Sequence, residues 1–557
     1  MTAVLAPPVG PVRPEPFNPP SLPPPEPTSA GPARPGWRSA LAAKWPAVLA
    51  IVAFGVYVAA GCYMLYSVHY AIGDALSRSE DARAVLFSRD PHLAAWGFVW
   101  FPGPVVLELP FMLVVSPLNH AALAGPLSTA MCGAITVLVM VKVFRRLGLS
   151  EPMVAGLTVA YCLNPVIIFY CANGMSEASF YLAASVFFLG LIRWYQEGGP
   201  VSLILMSLAL AAAMTIREEA LVLVPLASVV VAFHEQGWAR RAKVAVLVVL
   251  PGVFVFALWT FANWIIMGNP LFWYQGLALE SKPPANAWWL PAHKTLISGI
   301  LYAARYTWAF VPALFIVLPV LLIVVAGRRR KFWQLAAIVL PAAVFPGQVA
   351  FLISKDSTWG DPRYFASLTI FSIVVLGFAA REVATSRRFG VRGKRALSVL
   401  LVCLGGFNAV NGTLNDINPK TSHVESESIA FRAALGLSRP SNSYQPAIVS
   451  WELFDSYLDT YLAKGQLIIV DTGTAFPGPL FSRYPRQWVI PSDQDFQRVA
   501  DNFNGQAQWL LSLPSAITFS STIEIDQALA STDGGHFEKW KTFTVGDLYR
   551  WVPSKGG

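Results

Sequence analysis

The sequence predicts a polytopic α-helical membrane protein with about 11 transmembrane helices, followed by a small C-terminal α/β domain. Of its 557 residues, 55% are hydrophobic and only 13% are charged. Soluble proteins carry roughly 25% charged residues. Apolar runs of roughly 17–25 residues, long enough to cross a bilayer, recur up to about residue 410. Beyond residue 412 the composition changes to that of a water-soluble chain.

The first 40 residues are rich in proline and contain few large apolar side chains. Such a composition cannot bury a core, so we predict a disordered segment without the apolar core of a signal peptide. Arg34, Arg38 and Lys44 precede the first span, 45–68, and place the N-terminus in the cytoplasm by the positive-inside rule. The same rule explains the net charge of +9 without nucleic-acid binding, because most cations lie in short loops between spans.

The first extracytoplasmic loop is therefore 69–119, inside a transmembrane domain predicted to cover 41–411. Its apolar stretch 103–117 is short and contains Glu108, so we predict a re-entrant or interfacial helix. Counting it as a crossing would place Arg145 and Arg146 outside the cell. Ten further crossings then alternate: 120–144, 152–172, 175–194, 201–214, 220–233, 244–267, 299–326, 332–353, 364–380 and 396–410. The C-terminal region thus lies outside.

The C-terminal region, 412–557, has the pattern of a small α/β extracytoplasmic domain. Strands are predicted at 466–471 and 488–490, and helices at 429–435 and 454–462. Three of its aromatic residues are candidates for binding sugar, although core packing is the favoured interpretation: Trp451, Tyr457 and Trp488. The five cysteines of the chain all lie in hydrophobic segments, which favours buried thiols over disulfides.

Charged residues are costly at membrane depth and usually line a cavity or pair with one another. On the predicted topology, four such clusters meet on the outer side of the membrane. They are the first-loop residues Asp74, Arg78, Glu80, Asp81, Asp90, His92 and Glu108; the turn 173–177, with Glu177; the segment 215–219, with Arg217, Glu218 and Glu219; and 356–363, with Asp361 and Arg363. Arginines beside carboxylates suit a phosphate-bearing substrate and proton transfer.

Each cluster also has a purely structural interpretation. Asp74 is suited to capping the helix that follows it, and Glu177 to the start of its own span. Arg217 is suited to neutralising its neighbours Glu218 and Glu219. Arg363 is suited to an ion pair with Asp361 in the same loop. The four clusters together are stronger evidence for a functional site than any one of them, because all four are predicted on the same face of the membrane.

Several short motifs resemble those of the GT-C glycosyltransferases, in particular the actinobacterial members of the family 39-like group. The resemblance covers roughly 40–410 and rests on four places. They are Asp74 within 73–78, the aromatic segment 98–102, Asn164-Pro165 followed by 174–177, and Arg363-Tyr364. The acidic pair often found in the first loop of such enzymes is absent at Asp74, which is followed by Ala75. The nearest pair is Glu80-Asp81.

The resemblance implies an inverting enzyme that transfers a sugar, with mannose or arabinose favoured, from a polyprenyl-phosphate donor to an envelope glycan or lipid. Asp74 would be the general base, and Arg363, Arg217 and Arg78 would stabilise the leaving phosphate. Glu177 would position the sugar or the base. The other expected substrate-binding residues are Glu80, Asp81, His92 and Tyr364. No cofactor or obligatory metal is expected, because His92 has no second histidine at ligand spacing.

Two other functions fit an arginine-lined cavity. One is a transporter or flippase of a lipid-linked sugar. An inverted repeat with paired broken helices would favour this function, but no such symmetry is visible between the two halves of the sequence. A noncatalytic envelope scaffold would leave the membrane-embedded Arg217–Glu219 cluster without a purpose. The glycosyltransferase is therefore the favoured hypothesis.

Overall fold

The computed structural model describes residues 37–280, 282–283, 287, 289–418, 431–433, 435–437, 445–462, 465–470, 475–501, 507–513, 529 and 534–554. Contacts divide the chain into two compact units, Met1–Trp45 and Pro46–Gly557. In the first unit, residues 1–36 of the segment predicted to be disordered lie outside the described residues. Residues 37–45 are helical, so the last four residues of that predicted segment belong to a helix. The second unit contains both the membrane helices and the C-terminal sheet.

Helices dominate the described chain up to residue 417. They are α1 (Trp37–Cys62), α2 (Gly73–Phe87), α3 (Pro102–Val115), α4 (Ala124–Arg146), α5 (Glu151–Cys162), α6 (Pro165–Tyr170), α7 (Glu177–Glu197), α8 (Pro200–Met214), α9 (Ala220–Ala232), α10 (Trp238–Met267), α11 (Phe272–Glu280), α12 (Leu296–Phe310), α13 (Pro312–Val325), α14 (Arg329–Ala342), α15 (Val344–Ser354), α16 (Arg363–Ala366), α17 (Leu368–Thr385) and α18 (Val391–Ile417). A π-helical turn, Tyr63–Ser67, extends α1, and 3-10 turns lie at Leu93–Trp96 and Ala121–Leu123.

Seven helical stretches of the described chain are long and apolar enough to cross a bilayer. They are Lys44–Ser67, Ala121–Arg146, Glu177–Glu197, Trp238–Met267, Arg329–Ser354, Arg363–Thr385 and Val391–Ile417. Helices α12 and α13 together would form an eighth, and α3, α8 and α9 are shorter apolar helices. The multi-pass character is confirmed. The remaining predicted crossings correspond to broken or short helices rather than to continuous spans.

Proline explains the two broken spans. The predicted crossing 152–172 is divided into α5 and α6, and Asn164 caps the second helix by accepting from Val166 N at 3.0 Å. The predicted crossing 299–326 is divided into α12 and α13, which meet at 97°. Val311 lies at this bend with ψ of 53°, because the residue before a proline, here Pro312, is pushed out of the helical region.

The helix bundle brings the starts of α4 and α7 to one end. Helix α4 packs against α7, and α17 packs against α13, α14 and α18. Within its apolar window α17 is 89% buried, which makes it the central helix of the bundle. The start of α4 lies against the turn that precedes α7, since a methyl group at Gly125 would come within 3.1 Å of Gly174 Cα. Gly174 has φ of +79°, which only glycine adopts without strain.

The described C-terminal region contains a small mixed sheet and three helices: α19 (Gln445–Tyr461), α20 (Pro477–Phe481) and α21 (Phe496–Asp501), with β1 (Ile468–Ile469), β2 (Trp488–Val489), β3 (Trp509–Ser512), β4 (Gly535–Thr542) and β5 (Asp547–Pro553). The strand order is β2-β1-β3-β5-β4. Strand β1 is parallel to β2 and β3, whereas β5 is antiparallel to β3 and β4. The predicted strands at 466–471 and 488–490 and the helix at 454–462 correspond to β1, β2 and α19. The predicted helix 429–435 is described only in part.

The aromatic residues considered for sugar binding pack instead within this C-terminal region. Trp451 and Trp488 are 4% and 1% exposed and belong to its hydrophobic core. Tyr457 stacks on Tyr461 at 4.2 Å between ring centroids, and its hydroxyl accepts a hydrogen bond from Trp540 Nε1. Core packing is thus the role that these contacts support.

Arg83 of α2 and Arg89, two residues after the end of α2, both bond to the C-terminal region. Arg83, only 3% exposed, donates from Nη1 to the carbonyl oxygens of Pro479 and Leu480 at 2.6 and 2.7 Å. Arg89 pairs with Asp493 at 3.0 Å and also with Asp495. Because hydrogen bonds from a buried cation are worth about 1.5–3 kcal/mol each, the two Arg83 contacts hold α2 against α20.

Candidate active site

The candidate site begins at the first turn of α2. Ile72 is the N-cap residue and makes no side-chain cap hydrogen bond. Asp74 follows within the first turn, where the positive end of the helix dipole favours a carboxylate. Its Oδ2 accepts a hydrogen bond from Arg363 Nη1 at 2.6 Å. Asp74 therefore stabilises the start of its own helix and also accepts a hydrogen bond from an arginine 289 residues away.

Arg363 occupies the short helix α16, immediately before the central span. Its Nε lies 3.6 Å from Asp361 Oδ2, and its guanidinium lies 5.4 Å from the ring centroid of Tyr364. The side chains of Arg363 and Asp74 are 20% and 25% exposed. The pair is thus accessible enough to meet a substrate. The predicted Asp361 contact is present, and Asp74 is the closer partner.

Electrostatics keep Asp74 ionised. Burial raises the pKa of its carboxyl, but the nearby Arg363 and Arg78 guanidinium groups outweigh this and lower the pKa below its usual value. A carboxylate that is ionised and partly open to solvent can accept a proton from a hydroxyl held against it. Asp74 therefore has the charge state that a general base needs.

Arg78 lies one helical turn beyond Asp74 on the same face of α2. It is 5% exposed, and its guanidinium carbon lies 4.6 Å from the ring centroid of Trp100. Nη1 contacts Met175 Sδ at 3.6 Å, and Nε has no hydrogen-bond partner among the residues that the structure describes. A buried guanidinium with unused donors beside a carboxylate is suited to receive an anionic group.

Arg217 is engaged in a different way. It lies between α8 and α9, is 4% exposed, and makes a bidentate pair with Glu219 at 2.6 and 2.9 Å. Its Nη1 also pairs with Glu177 at the start of α7. Both carboxylates are almost fully buried. Arg217 is therefore neutralised by two glutamates, which agrees with the structural interpretation of this cluster and extends it to Glu177.

The acidic pair further along α2 has a different protonation state from Asp74. Burial and the nearby Asp493 raise the pKa of Glu80 to about 8. Burial and Glu80 raise the pKa of Asp81 as well. Glu108 lies deeper and accepts a hydrogen bond from Ser79 Oγ at 2.7 Å. Glu80 is consequently mostly protonated at neutral pH and, unlike the ionised Asp74, is not available there to take a proton.

His92 lies at the edge of this region. Its Nδ1 is 2.7 Å from the carbonyl oxygen of Asp90, and the Asp90 carboxylate accepts from the Gln494 backbone. Across the described ranges, no group of three or more histidine, cysteine, aspartate or glutamate side chains is arranged to hold a metal ion. His92 thus belongs to the junction with the C-terminal region.

The structure adds three contributors to the residues proposed from sequence. Trp100 and Met175 surround Arg78, and Glu218 interacts electrostatically with Arg363. Trp100 and Met175 belong to the motifs 98–102 and 174–177, so the sequence motifs already indicated that these two segments contribute to the site. Glu218 was visible only as one of two neighbouring glutamates, and nothing local distinguished it from Glu219.

Comparison with known proteins identifies a shared fold. No family model matches the chain, and no curated protein matches it. Solved structures do match, and two of them are ArnT from Cupriavidus metallidurans bound to undecaprenyl phosphate and ArnT from the same organism in the apo state. The first has a TM-score of 0.54 and 15% sequence identity, and the match covers 92% of this chain and 99% of that one. The second has a TM-score of 0.52 and 15% identity, with 91% and 98% covered.

This likeness extends over nearly the whole of both chains and includes the membrane helices and the C-terminal region. At 15% identity it concerns the fold alone. It confirms the fold class predicted from the sequence. The chain is a multi-pass, mostly helical membrane protein that shares the fold of ArnT and has a small C-terminal sheet.

Proposed function

We propose that this protein is an inverting glycosyltransferase that uses a polyprenyl-phosphate sugar as its donor. One observation carries the proposal. An ionised, partly exposed Asp74 lies beside Arg363 and one turn from Arg78, whose buried guanidinium has an unpaired Nε among the described residues. This arrangement supplies a base and two cations at one place. The likeness to ArnT, one structure of which is bound to undecaprenyl phosphate, agrees with such a donor.

In the proposed reaction an acceptor hydroxyl attacks the anomeric carbon of the sugar. Asp74 takes the proton from that hydroxyl as the new glycosidic bond forms. The bond from the anomeric carbon to the phosphate oxygen breaks on the opposite face, and its electron pair leaves with the polyprenyl phosphate. Arg363 and Arg78 stabilise the negative charge of this leaving group. Attack and departure on opposite faces invert the anomeric configuration.

Arg217 has a supporting role in this proposal. Its guanidinium is already matched by two buried glutamates, so it fixes the start of α7 and the segment between α8 and α9. Arg78 replaces it as the second phosphate-binding cation. Glu177, Glu80, Asp81, His92 and Tyr364 remain predicted substrate-binding residues in this proposal.

The finer parts of the proposal come from the sequence resemblance. They are the actinobacterial family 39-like subtype, mannose or arabinose as the sugar, and an envelope glycan or glycolipid as the acceptor. The proposed orientation has the N-terminus in the cytoplasm and the C-terminal domain outside, as the positive-inside rule favours. No cofactor or metal is part of the reaction as written.

A donor panel tests this proposal. Purified protein in proteoliposomes would receive radiolabelled polyprenyl-phosphate sugars, and both sugar transfer to a glycan acceptor and sugar-lipid movement across the bilayer would be measured. We expect transfer from one donor, with inverted configuration in the product. Movement of the intact lipid-linked sugar without transfer would instead identify a flippase.

The proposal also predicts a pH effect for Arg363→Gln. Asp74 works when ionised, and Arg363 lowers its pKa. Without Arg363, the pKa of Asp74 should rise, so the acidic limb of the pH–kcat profile should move to higher pH. The position of the acidic limb can be measured even if kcat falls, because it depends only on how kcat of the same variant changes with pH. An unshifted limb in Arg363→Gln, equal to that of the distant control Arg387→Gln, would contradict the assignment of Asp74 as the base.

A further inference from the structure

A second cation cluster lies at the opposite end of the bundle from the candidate site. Helices α4 and α7 both begin at the site, near Gly125 and with Glu177, and pack side by side. Helix α4 has 23 residues, which span about 34 Å at 1.5 Å per residue. That length covers the hydrocarbon core of a bilayer, about 30 Å. The ends of α4 and α7 therefore lie near the other membrane surface.

An open cavity of about 430 Å³ lies between these two ends. It is lined by Lys142, Arg145 and Arg146 of α4 and by Leu189 and Arg193 of α7. Four cations thus surround one cavity and a single apolar side chain. Cavities of this size hold a small ligand or a lipid headgroup.

The acidic neighbours neutralise only half of this charge. Glu151 pairs with Arg145 at 2.8 Å, and Glu197 serves both Arg146 and Arg193. Within the described chain, Lys142 has no ion-pair partner and Arg193 Nε has no hydrogen-bond partner. Two carboxylates face four cations, so the cavity keeps a net positive charge and free donors.

An apolar strip leads from the cavity along the bilayer depth. On α4, Met131 and Ile135 are each 38% exposed, and Leu138 is half-buried. They share the helical face of Lys142, since they lie four, seven and eleven positions from it. On α7, Leu182, Val186 and Leu189 are half-buried at the same spacing before Arg193. The cations therefore terminate an apolar surface that acyl chains can cover.

We propose that the α4–α7 cavity binds the headgroup of an acidic phospholipid, with its acyl chains on the apolar strip. The phosphate would pair with Lys142, which has no ion-pair partner in the described chain, and with Arg193, whose Nε has no hydrogen-bond partner there. Arg145 and Arg146 would add charge. Basic pockets between transmembrane helices bind acidic headgroups by this combination of charge and apolar contact. A bound lipid would brace the two helices whose other ends carry Gly125 and Glu177. This site is independent of the proposed glycosyl transfer.

Native mass spectrometry of the delipidated full-length protein would test the proposal. The probes are phosphatidylglycerol and phosphatidylcholine with matched chains. We expect a first phosphatidylglycerol to bind wild type at least about 10-fold more tightly than phosphatidylcholine. Each cation near a membrane surface contributes about fivefold to acidic lipid binding, so Lys142→Gln/Arg193→Gln should weaken phosphatidylglycerol binding about 30-fold.

The matched control is Arg387→Gln/Arg388→Gln, which removes two exposed cations at the same end of the bundle, after α17, without touching the cavity. It should leave binding unchanged, and an equal loss in this variant would show a diffuse charge effect and overturn the site. Leu189→Trp separates a lipid from a free anion. It should weaken phosphatidylglycerol binding but not the binding of inorganic phosphate. Equal competition by millimolar inorganic phosphate in wild type would also overturn the lipid assignment.

Discussion

Replacing Asp74 with asparagine should lower kcat for sugar transfer by about 10²–10⁴-fold. Asparagine has the same shape and keeps an oxygen for Arg363, so the fold and donor binding should persist. It cannot accept the proton of the acceptor hydroxyl. Single-turnover transfer with a saturating polyprenyl-phosphate sugar would isolate the chemical step, and donor binding measured separately should stay within a few-fold of wild type.

Glu80→Gln is the matched control for this variant. Glu80 belongs to the same helix, and its pKa is raised to about 8, so at neutral pH its side chain is mostly protonated and resembles glutamine. We expect this variant to retain most of its activity. The opposite result, an active Asp74→Asn and an inactive Glu80→Gln, would transfer the role of base to the Glu80-Asp81 pair.

Replacing Arg217 with methionine should destabilise the protein by about 3–5 kcal/mol. The variant leaves Glu177 and Glu219 buried and without their cation, at 0% and 1% side-chain exposure. Thermal unfolding in detergent would measure the loss as a lower midpoint. If Arg217 instead served mainly to bind substrate, the variant would unfold like wild type and lose only activity.

Two further variants sharpen the interpretation of the Arg217 result. The triple variant Arg217→Met/Glu177→Gln/Glu219→Gln removes all the charges together and should recover most of the lost stability, because no buried charge is left unpaired. Arg498→Gln breaks a pair with Asp495 at 2.8 Å in which the arginine is 65% exposed. It should change stability by at most about 1 kcal/mol.

Anchoring of α2 by the C-terminal region connects these predictions to the fold. Arg83 lies on α2, whose first turn contains Asp74, and Arg89 follows two residues after the end of α2 at Phe87. Both bond to residues more than 390 positions later. The helix therefore has little freedom to move relative to the C-terminal region. The contacts of Arg83 and Arg89, near the C-terminal end of α2, therefore help to fix the position of Asp74 in its first turn.

The sequence by itself determined the class of protein and much of the local chemistry. Long apolar runs require a membrane, and this conclusion depends only on composition and length. Arg217 with Glu219, and Arg363 with Asp361, are two residues apart, so their pairing follows from local proximity. The sequence alone did not show that 299–326 would bend by 97° at Val311.

Only the tertiary structure decided which distant groups meet. Asp74 and Arg363 are 289 residues apart, and Arg217 and Glu177 are 40 apart. Their contacts depend on how whole helices pack, which no short sequence pattern specifies. Packing also distinguishes the structural role of Arg217 from the proposed phosphate-binding role of Arg78. It surrounds Arg217 with glutamates and leaves Arg78 Nε without a hydrogen-bond partner among the described residues. Charge and hydropathy act locally along the chain, whereas burial and pairing are properties of the assembled bundle.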